Sequence, residues 1–396
     1  MKLVNILLGF GLFLFGYSCS QRGQQHEAYQ TRETVVIKIP TDFDISPFDS
    51  LIKRMDFIPL ETLDTCLISR VVQVRCTDSL VFINDNRHRV LAFDKKGRFI
   101  CQVGINGSGP GEYREVRDFF LTGDTIKVLD FCKIESYSLL SGEHLVTHRI
   151  DFGDRRISPI FFINAPSGDG YYFWGGTTGH NDRNLRTKYH FMYKTNNDFR
   201  VTDSIFPIRH TAGGNTQKFI KVDSCIVLDP LFADYNIYQI GKDNRIFARY
   251  ILDFGDKTLT DNILEKADRK NGSEFDEELH KYVVQMFDFA ENPQWVLVNF
   301  GYKQRMYCLL YSKANKKSYI FTSTREAVIK GEYLFWGGQT CMNDQFIYCM
   351  EASWFVDIFE QLPDDAKKKY GLDNEIYKKI KEVDNPILVF YTMIDE

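Results

Sequence analysis

Two phrases of the chain carry one pattern, F-W-G-G-x-T-x-x-N-D. They are Phe173-Trp174-Gly175-Gly176-Thr177-Thr178-Gly179-His180-Asn181-Asp182 and Phe335-Trp336-Gly337-Gly338-Gln339-Thr340-Cys341-Met342-Asn343-Asp344. Trp174 and Trp336 offer flat apolar faces, and Asn181, Asp182, Asn343 and Asp344 offer hydrogen bonds, a mixture suited to a sugar or a peptide. His180 is the histidine within the pattern. A second reading needs no ligand: a Trp ends a buried strand, Gly-Gly turns, an Asn-Asp pair caps, and the phrase recurs because one structural unit is copied. Both readings stand on the sequence.

Chemistry signalled by motif is otherwise missing. The glycine-rich stretch 104–111 is not followed by GK[ST] or by a helix that could hold a phosphate, so it reads as a turn. There is no G-x-S-x-G elbow, no H-E-x-x-H and no acidic loop of EF-hand spacing. His144 and His148 are four apart in a strand context, which does not make the helical metal pair, and they read as solvated turn histidines. No catalytic residue, no metal ligand and no cofactor is therefore assigned. Loops distant in sequence can still assemble an acid and a base, so two classes remain: a non-catalytic binding module, and a hydrolase or lyase.

The elements that would position these residues are strands. From Thr34 onward, short β-rich runs alternate with Gly, Asn and Asp turns. Leu80 to Asp85, Arg89 to Asp94 and Arg98 to Val103 read as three strands of an antiparallel meander, with Asp94-Lys95-Lys96-Gly97 as hairpin chemistry. Strand clusters over 71–104, 116–150, 157–208, 220–260, 283–322 and 330–394 predict an all-β, six-bladed β-propeller spanning 33–396. The segment near 34–62 is left to complete the last sheet beside strand Pro386 to Thr392, which removes free edges. Helical inserts are expected over 261–269, 274–284 and 363–383. In a six-bladed ring the two F-W-G-G phrases fall in the third and sixth blades, on opposite sides of the axis, where a ligand over the channel could be gripped from both sides.

The glycine-rich loop ending in Gly111-Glu112-Tyr113 and followed by Val116 to Leu121 resembles the loop between blades of NHL-type propellers. The wider layout is similar to the six-bladed propeller lipoproteins abundant in Bacteroidetes. Its most specific pieces are the glycine-rich loop, an opening phrase like Phe57-Ile58-Pro59-Leu60-Glu61-Thr62 and a closing strand like Asn385-Pro386-Ile387-Leu388-Val389-Phe390-Tyr391-Thr392.

The ends and the charge set the compartment. Met1-Lys2, an apolar run to Phe15 and Gly16-Tyr17-Ser18-Cys19 read as a signal peptide over 1–18 with Cys19 as the lipidated first residue, followed by a polar tether over 19–32. The expectation is an exported periplasmic or outer-membrane lipoprotein, monomeric, held to the membrane by its lipid anchor. Its partner would be a glycan, a peptide or an envelope protein. Lys plus Arg number 49 against 53 Asp plus Glu, with no basic stripe, so nucleic acid is not an expected partner. Nine cysteines are scattered singly, and apart from Cys19 they read as small buried hydrophobes. Cys341 and Cys349 are the nearest pair for a disulfide.

Overall fold

The computed structural model describes residues 34–40, 43, 51–131, 133–152, 157–175, 190–207, 218–260, 262–263, 277–303, 305–322 and 340–394. Six antiparallel sheets succeed one another along the chain. Blade I is β3 (Val71–Cys76), β4 (Leu80–Asp85), β5 (Val90–Asp94) and β6 (Phe99–Val103). Blade II is β7 (Asp118–Thr122), β8 (Thr125–Asp130), β9 (Lys133–Ser138) and β10 (His144–Arg149). Blade III is β11 (Phe161–Asn164), β12 (Tyr171–Trp174), β13 (His190–Thr195) and β14 (Val201–Pro207). Blade IV is β15 (Phe219–Val222), β16 (Cys225–Leu228), β17 (Asn236–Ile240) and β18 (Ile246–Asp253), and blade V is β19 (Gln285–Glu291), β20 (Trp295–Tyr302), β21 (Arg305–Ser312) and β22 (Lys317–Thr322). Blade VI joins β23 (Thr340–Met342), β24 (Gln345–Met350) and β25 (Ile387–Met393) to the N-terminal β2 (Ile52–Pro59). The first strands form the inner ring, β7 beside β11, β11 beside β15, β15 beside β19, β19 beside β23 and β23 beside β3. The six-bladed propeller is the fold of this chain.

Among the described residues the core lies in layers between neighbouring blades. Each strand has a period of two, so alternate side chains enter the layers on either side of the blade. In β4, Val81 and Ile83 pack toward blade VI while Phe82 packs toward blade II. In β20, Trp295 and Leu297 face blade VI while Val296, Val298 and Phe300 face blade IV. Strands buried on both faces read as near-continuous apolar runs, as Leu80-Val81-Phe82-Ile83 does.

The N-terminal segment departs from expectation by dividing its work. Only β2 completes the last sheet, antiparallel to β25 with Phe57 opposite Val389. β1 (Val35–Lys38) instead runs parallel to β18 as a fifth strand of blade IV. Ile37 buries its side chain there, Thr34 Oγ1 donates to Ala248 O at 2.7 Å, and Ser318 Oγ of blade V donates to Lys38 O at 2.7 Å. Phe43 then lies among Phe300, Tyr302 and Tyr307 of blade V, with ring centroids 5.1–5.2 Å away.

The phrases that mark the two ends of the propeller are bonded to each other. Asn385, 1 % exposed, accepts from Ile68 N at 2.7 Å and donates to Glu61 O at 2.7 Å and Cys66 O at 3.0 Å. Its own backbone N–H donates to Thr62 Oγ1 at 2.9 Å. One side chain thereby satisfies the irregular chain that leads from the closing sheet into blade I.

Helices enter earlier than expected. The insert between β24 and β25 opens with α1 (Ala352–Gln361), followed by α2 (Asp364–Lys369) and a 3₁₀ turn at Tyr377–Lys379. Ala352, Phe355 and Ile358 bury one face of α1 against the β2 side of blade VI, at the helical spacing of three. Of the two earlier inserts, 262–263 and 277–279 are helical, and 264–276 lies outside the described residues. Cys341 and Cys349, the nearest pair for a possible disulfide, are not joined: they lie on neighbouring strands whose register sets Cys341 opposite Phe346 and Cys349 opposite Leu388. His144 and His148 lie in β10 and not in a turn. His144 Nε2 is 2.9 Å from Glu135 Oε2.

Candidate ligand cleft at the channel mouth

The first strands of blades I, II and III all begin at one end of the ring, and the inter-blade connections 104–117 and 157–160 run over that end. Here the chain builds a cleft of about 420 Å³, lined by Val72 and Asn84 of blade I, by His88 and by Glu115, Arg117 and Ser158 of the connections. Asp85, also in its wall, closes a tight turn: its Oδ1 accepts from Arg87 N at 3.0 Å and Arg89 N at 3.1 Å, and its Oδ2 holds the Arg89 guanidinium at 2.6 Å. The turn forces His88 to a φ of 58° and presents its exposed side chain beside the cleft. The same device recurs at Asp94, whose carboxylate accepts from Lys96 N and Arg98 N and pairs with Arg98. It is an aspartate turn closed by an arginine four residues on.

Arg117 is fixed from several sides. Its Nη1 donates to Ser158 Oγ at 2.8 Å and to Pro159 O at 3.0 Å, and its guanidinium lies 4.2 Å from the centroid of Phe131. Its Nε, buried and without a hydrogen-bond partner, is 3.7 Å from Glu115 Oε1, too long for a hydrogen bond. Asn84, 1 % exposed, gives its amide N–H to Val116 O at 3.3 Å and leaves Oδ1 unpartnered. Beneath them Asp118, fully buried, accepts from Gln73 and Arg75 of blade I and from Phe162 N of blade III, tying three blades under the cleft floor. A buried donor and a buried acceptor thus stand without partners in the wall of one cleft.

The glycine-rich stretch frames this end as a turn. Gly109 N donates to Glu112 Oε2 at 2.7 Å, so the chain's own carboxylate takes the position an anion would need, and Tyr113 is buried behind it. A second polar group at the same end is Lys218, which is buried, donates to Asp229 O at 3.0 Å and Pro230 O at 3.2 Å, and sits 4.9 Å from the Trp174 ring. Burial lowers its amine to about 8, against the pull of Asp229.

Trp174 ends β12 at the mouth but is 4 % exposed, stacked on Phe191 at 5.3 Å and capped by Lys218. Asn343 and Asp344 form the two-residue turn between β23 and β24, Asn343 at a φ of 55°, and this turn is at the opposite end of the ring. The described parts of the two F-W-G-G phrases are therefore not brought together: Trp174 ends a second strand at the mouth, whereas Asn343 and Asp344 turn between a first and a second strand at the other end. His180, Asn181, Asp182, Trp336 and the lipidation candidate Cys19 lie outside the described residues. Arg117, Glu115, His88 and Asn84 were not singled out in the sequence. Arg117 and Glu115 sit inside the stretch that carries the resemblance to inter-blade loops, and that position was the one signal available.

A family model described as "6-bladed beta-propeller" matches residues 24–349. Among solved structures, the crystal structure of a "Putative exported protein" from Bacteroides fragilis superposes with a TM-score of 0.73 at 20% identity, covering 91% of this chain and 100% of that one. The WD40 domain of Pan2 from Neurospora crassa gives a TM-score of 0.37 at 9% identity over 66% of this chain and 71% of that one, too low to bear on the fold. No curated protein matches.

Proposed function

The chain belongs to the 6-bladed beta-propeller family, and on that footing we propose that it is an exported, lipid-anchored binding protein whose mouth cleft takes a peptide or a protein segment. The observation that carries this reading is a preformed cleft whose wall holds two unpartnered polar atoms, Arg117 Nε and Asn84 Oδ1, just under its surface. Once a small side-chain shift uncovers them, an extended backbone offers a carbonyl to the first and an N–H to the second, and Glu115 and His88 can read the flanking side chains. A glycan is the weaker candidate, because no Trp, Tyr or Phe among the described residues lines the cleft to stack on a sugar face. Export rests on the sequence of residues 1–19 and agrees with the description of the Bacteroides fragilis neighbour. The resemblance to lipoprotein and NHL-type propellers supports the same placement. Labelling with radioactive palmitate tests the anchor: the intact chain takes up label and Cys19→Ala does not, and equal labelling contradicts it.

The cleft itself is tested by screening the mature chain on a peptide array and titrating the best peptide. Arg117→Ala should weaken binding at least tenfold without lowering the melting temperature by more than a few degrees. Unchanged affinity overturns the assignment. The hydrolase or lyase reading draws on Glu115 and His88 at the same cleft, a carboxylate and an imidazole able to share proton transfer. It predicts turnover of the bound peptide that is lost in both Glu115→Gln and His88→Ala.

A further inference from the structure

At the opposite end of the ring, between blades VI and I, lies a second cleft of about 550 Å³, within the range of sites that take small organic molecules. Lys95, in the β5–β6 turn, points its ammonium into it. Its Nζ is 5.2 Å from the centroid of the Phe390 ring and 2.9 Å from Met342 Sδ, and among the described residues no carboxylate reaches it at ion-pair distance. A thioether is a weak acceptor, so this half-buried cation is short of an oxygen partner. Burial lowers its amine below the ordinary lysine value, while Cys76 and Asp78 pull it back. The other cation of the cleft, Arg54, is already paired with Asp56 at 2.8 Å. Tyr370 and Tyr377 complete the wall, and Tyr377 is fixed by its hydroxyl donating to Phe57 O at 3.0 Å.

We propose that this cleft binds a small organic monoanion, a carboxylate or sulfonate carried on an aromatic or branched apolar body. The anionic group seats on Lys95 Nζ and the body lies against Phe390, Tyr370 and Tyr377. A single unpaired cation calls for a single charge, and the carboxylates of Asp56 and Asp78 in the cleft wall repel a dianion. Rings and a thioether around the ammonium favour an apolar body over a hydrated ion such as free phosphate. The site is at the other end of the ring from the peptide cleft and does not depend on it.

The experiment uses 1-anilinonaphthalene-8-sulfonate as the probe, with the full mature chain. Fluorescence should saturate at one site per chain and be displaced by benzoate. N-phenyl-1-naphthylamine, which has the same body without the sulfonate, should bind at least tenfold more weakly. Lys95→Gln should lose at least tenfold in affinity for the sulfonate, Lys95→Arg should retain it within threefold, and Arg117→Ala should leave it unchanged, all three with melting temperatures near that of the parent. Equal affinity of Lys95→Gln and the parent, or no saturable binding displaced by benzoate, overturns the proposal.

Discussion

Arg117 is held in place before any ligand arrives. Ser158 Oγ, Pro159 O and the Phe131 ring set the guanidinium, so little side-chain entropy is lost when a carbonyl reaches Nε. Lysine cannot reproduce that fork. Arg117→Lys should therefore lose most of the affinity that Arg117→Ala loses, and a titration showing near-parent affinity for the lysine variant would place the interaction in charge alone. Lys218 makes the complementary case of a residue whose effect is on stability. Its folded-state amine is near 8, below the ordinary 10.5, so between those values the unfolded chain binds more protons than the folded one. The contribution of Lys218 to stability thus rises with pH across that window. Urea midpoints of the parent should gain on those of Lys218→Met between pH 8 and 10, and parallel pH profiles would contradict this.

Turns and closing strands were the elements most legible in the sequence. Asp94-Lys95-Lys96-Gly97 marks a hairpin because Gly97 takes a φ of 81° and an Asp side chain caps the turn. Its glycine is required for a second reason that no local pattern reveals: a Cβ there would stand 2.1 Å from Pro59 O in the neighbouring blade. Gly97→Ala should cost on the order of 1–3 kcal/mol in denaturant unfolding. The Asn385 phrase was recognisable as a closing strand, but its partners around Glu61 and Cys66 are more than 300 residues away and are visible only in the fold. Asn385→Ala strands a buried N–H and two carbonyls, and we expect a loss of about 2–4 kcal/mol, whereas a loss below about 0.5 kcal/mol would deny it that role. α1 lies ahead of the expected helical insert: Trp354-Phe355-Val356 carries β-favouring residues, although Ala352, Phe355 and Ile358 keep helical spacing. β1 was misassigned because an edge strand carries no sign of which sheet it will join. The mouth cleft was the least legible feature, since Asn84, Arg117 and Ser158 belong to separate stretches and meet only where inter-blade connections cross one end of the ring.

At the scale of the molecule, closure and site belong together, because the cleft spans three blades whose spacing the ring fixes. β2 contributes Met55 and Phe57 to the layer it shares with β25. Losing it should cost on the order of 5 kcal/mol or more by comparison with core truncations, a large share of a typical domain's stability. A chain beginning at residue 61 should lose cooperative unfolding, while one beginning at 44 keeps β2 and should unfold cooperatively at a lower midpoint. Similar unfolding curves for the two truncations would remove β2 from its closing role. The most direct test of the account is the affinity of one array-selected peptide for three folded proteins: the parent, Arg117→Ala and the Trp174→Ala, Trp336→Ala double variant. The mouth cleft predicts at least a tenfold loss for Arg117→Ala and near-parent affinity for the double variant. Parent-like binding by Arg117→Ala together with loss in the tryptophan variant would contradict it and return the site to the two repeated phrases.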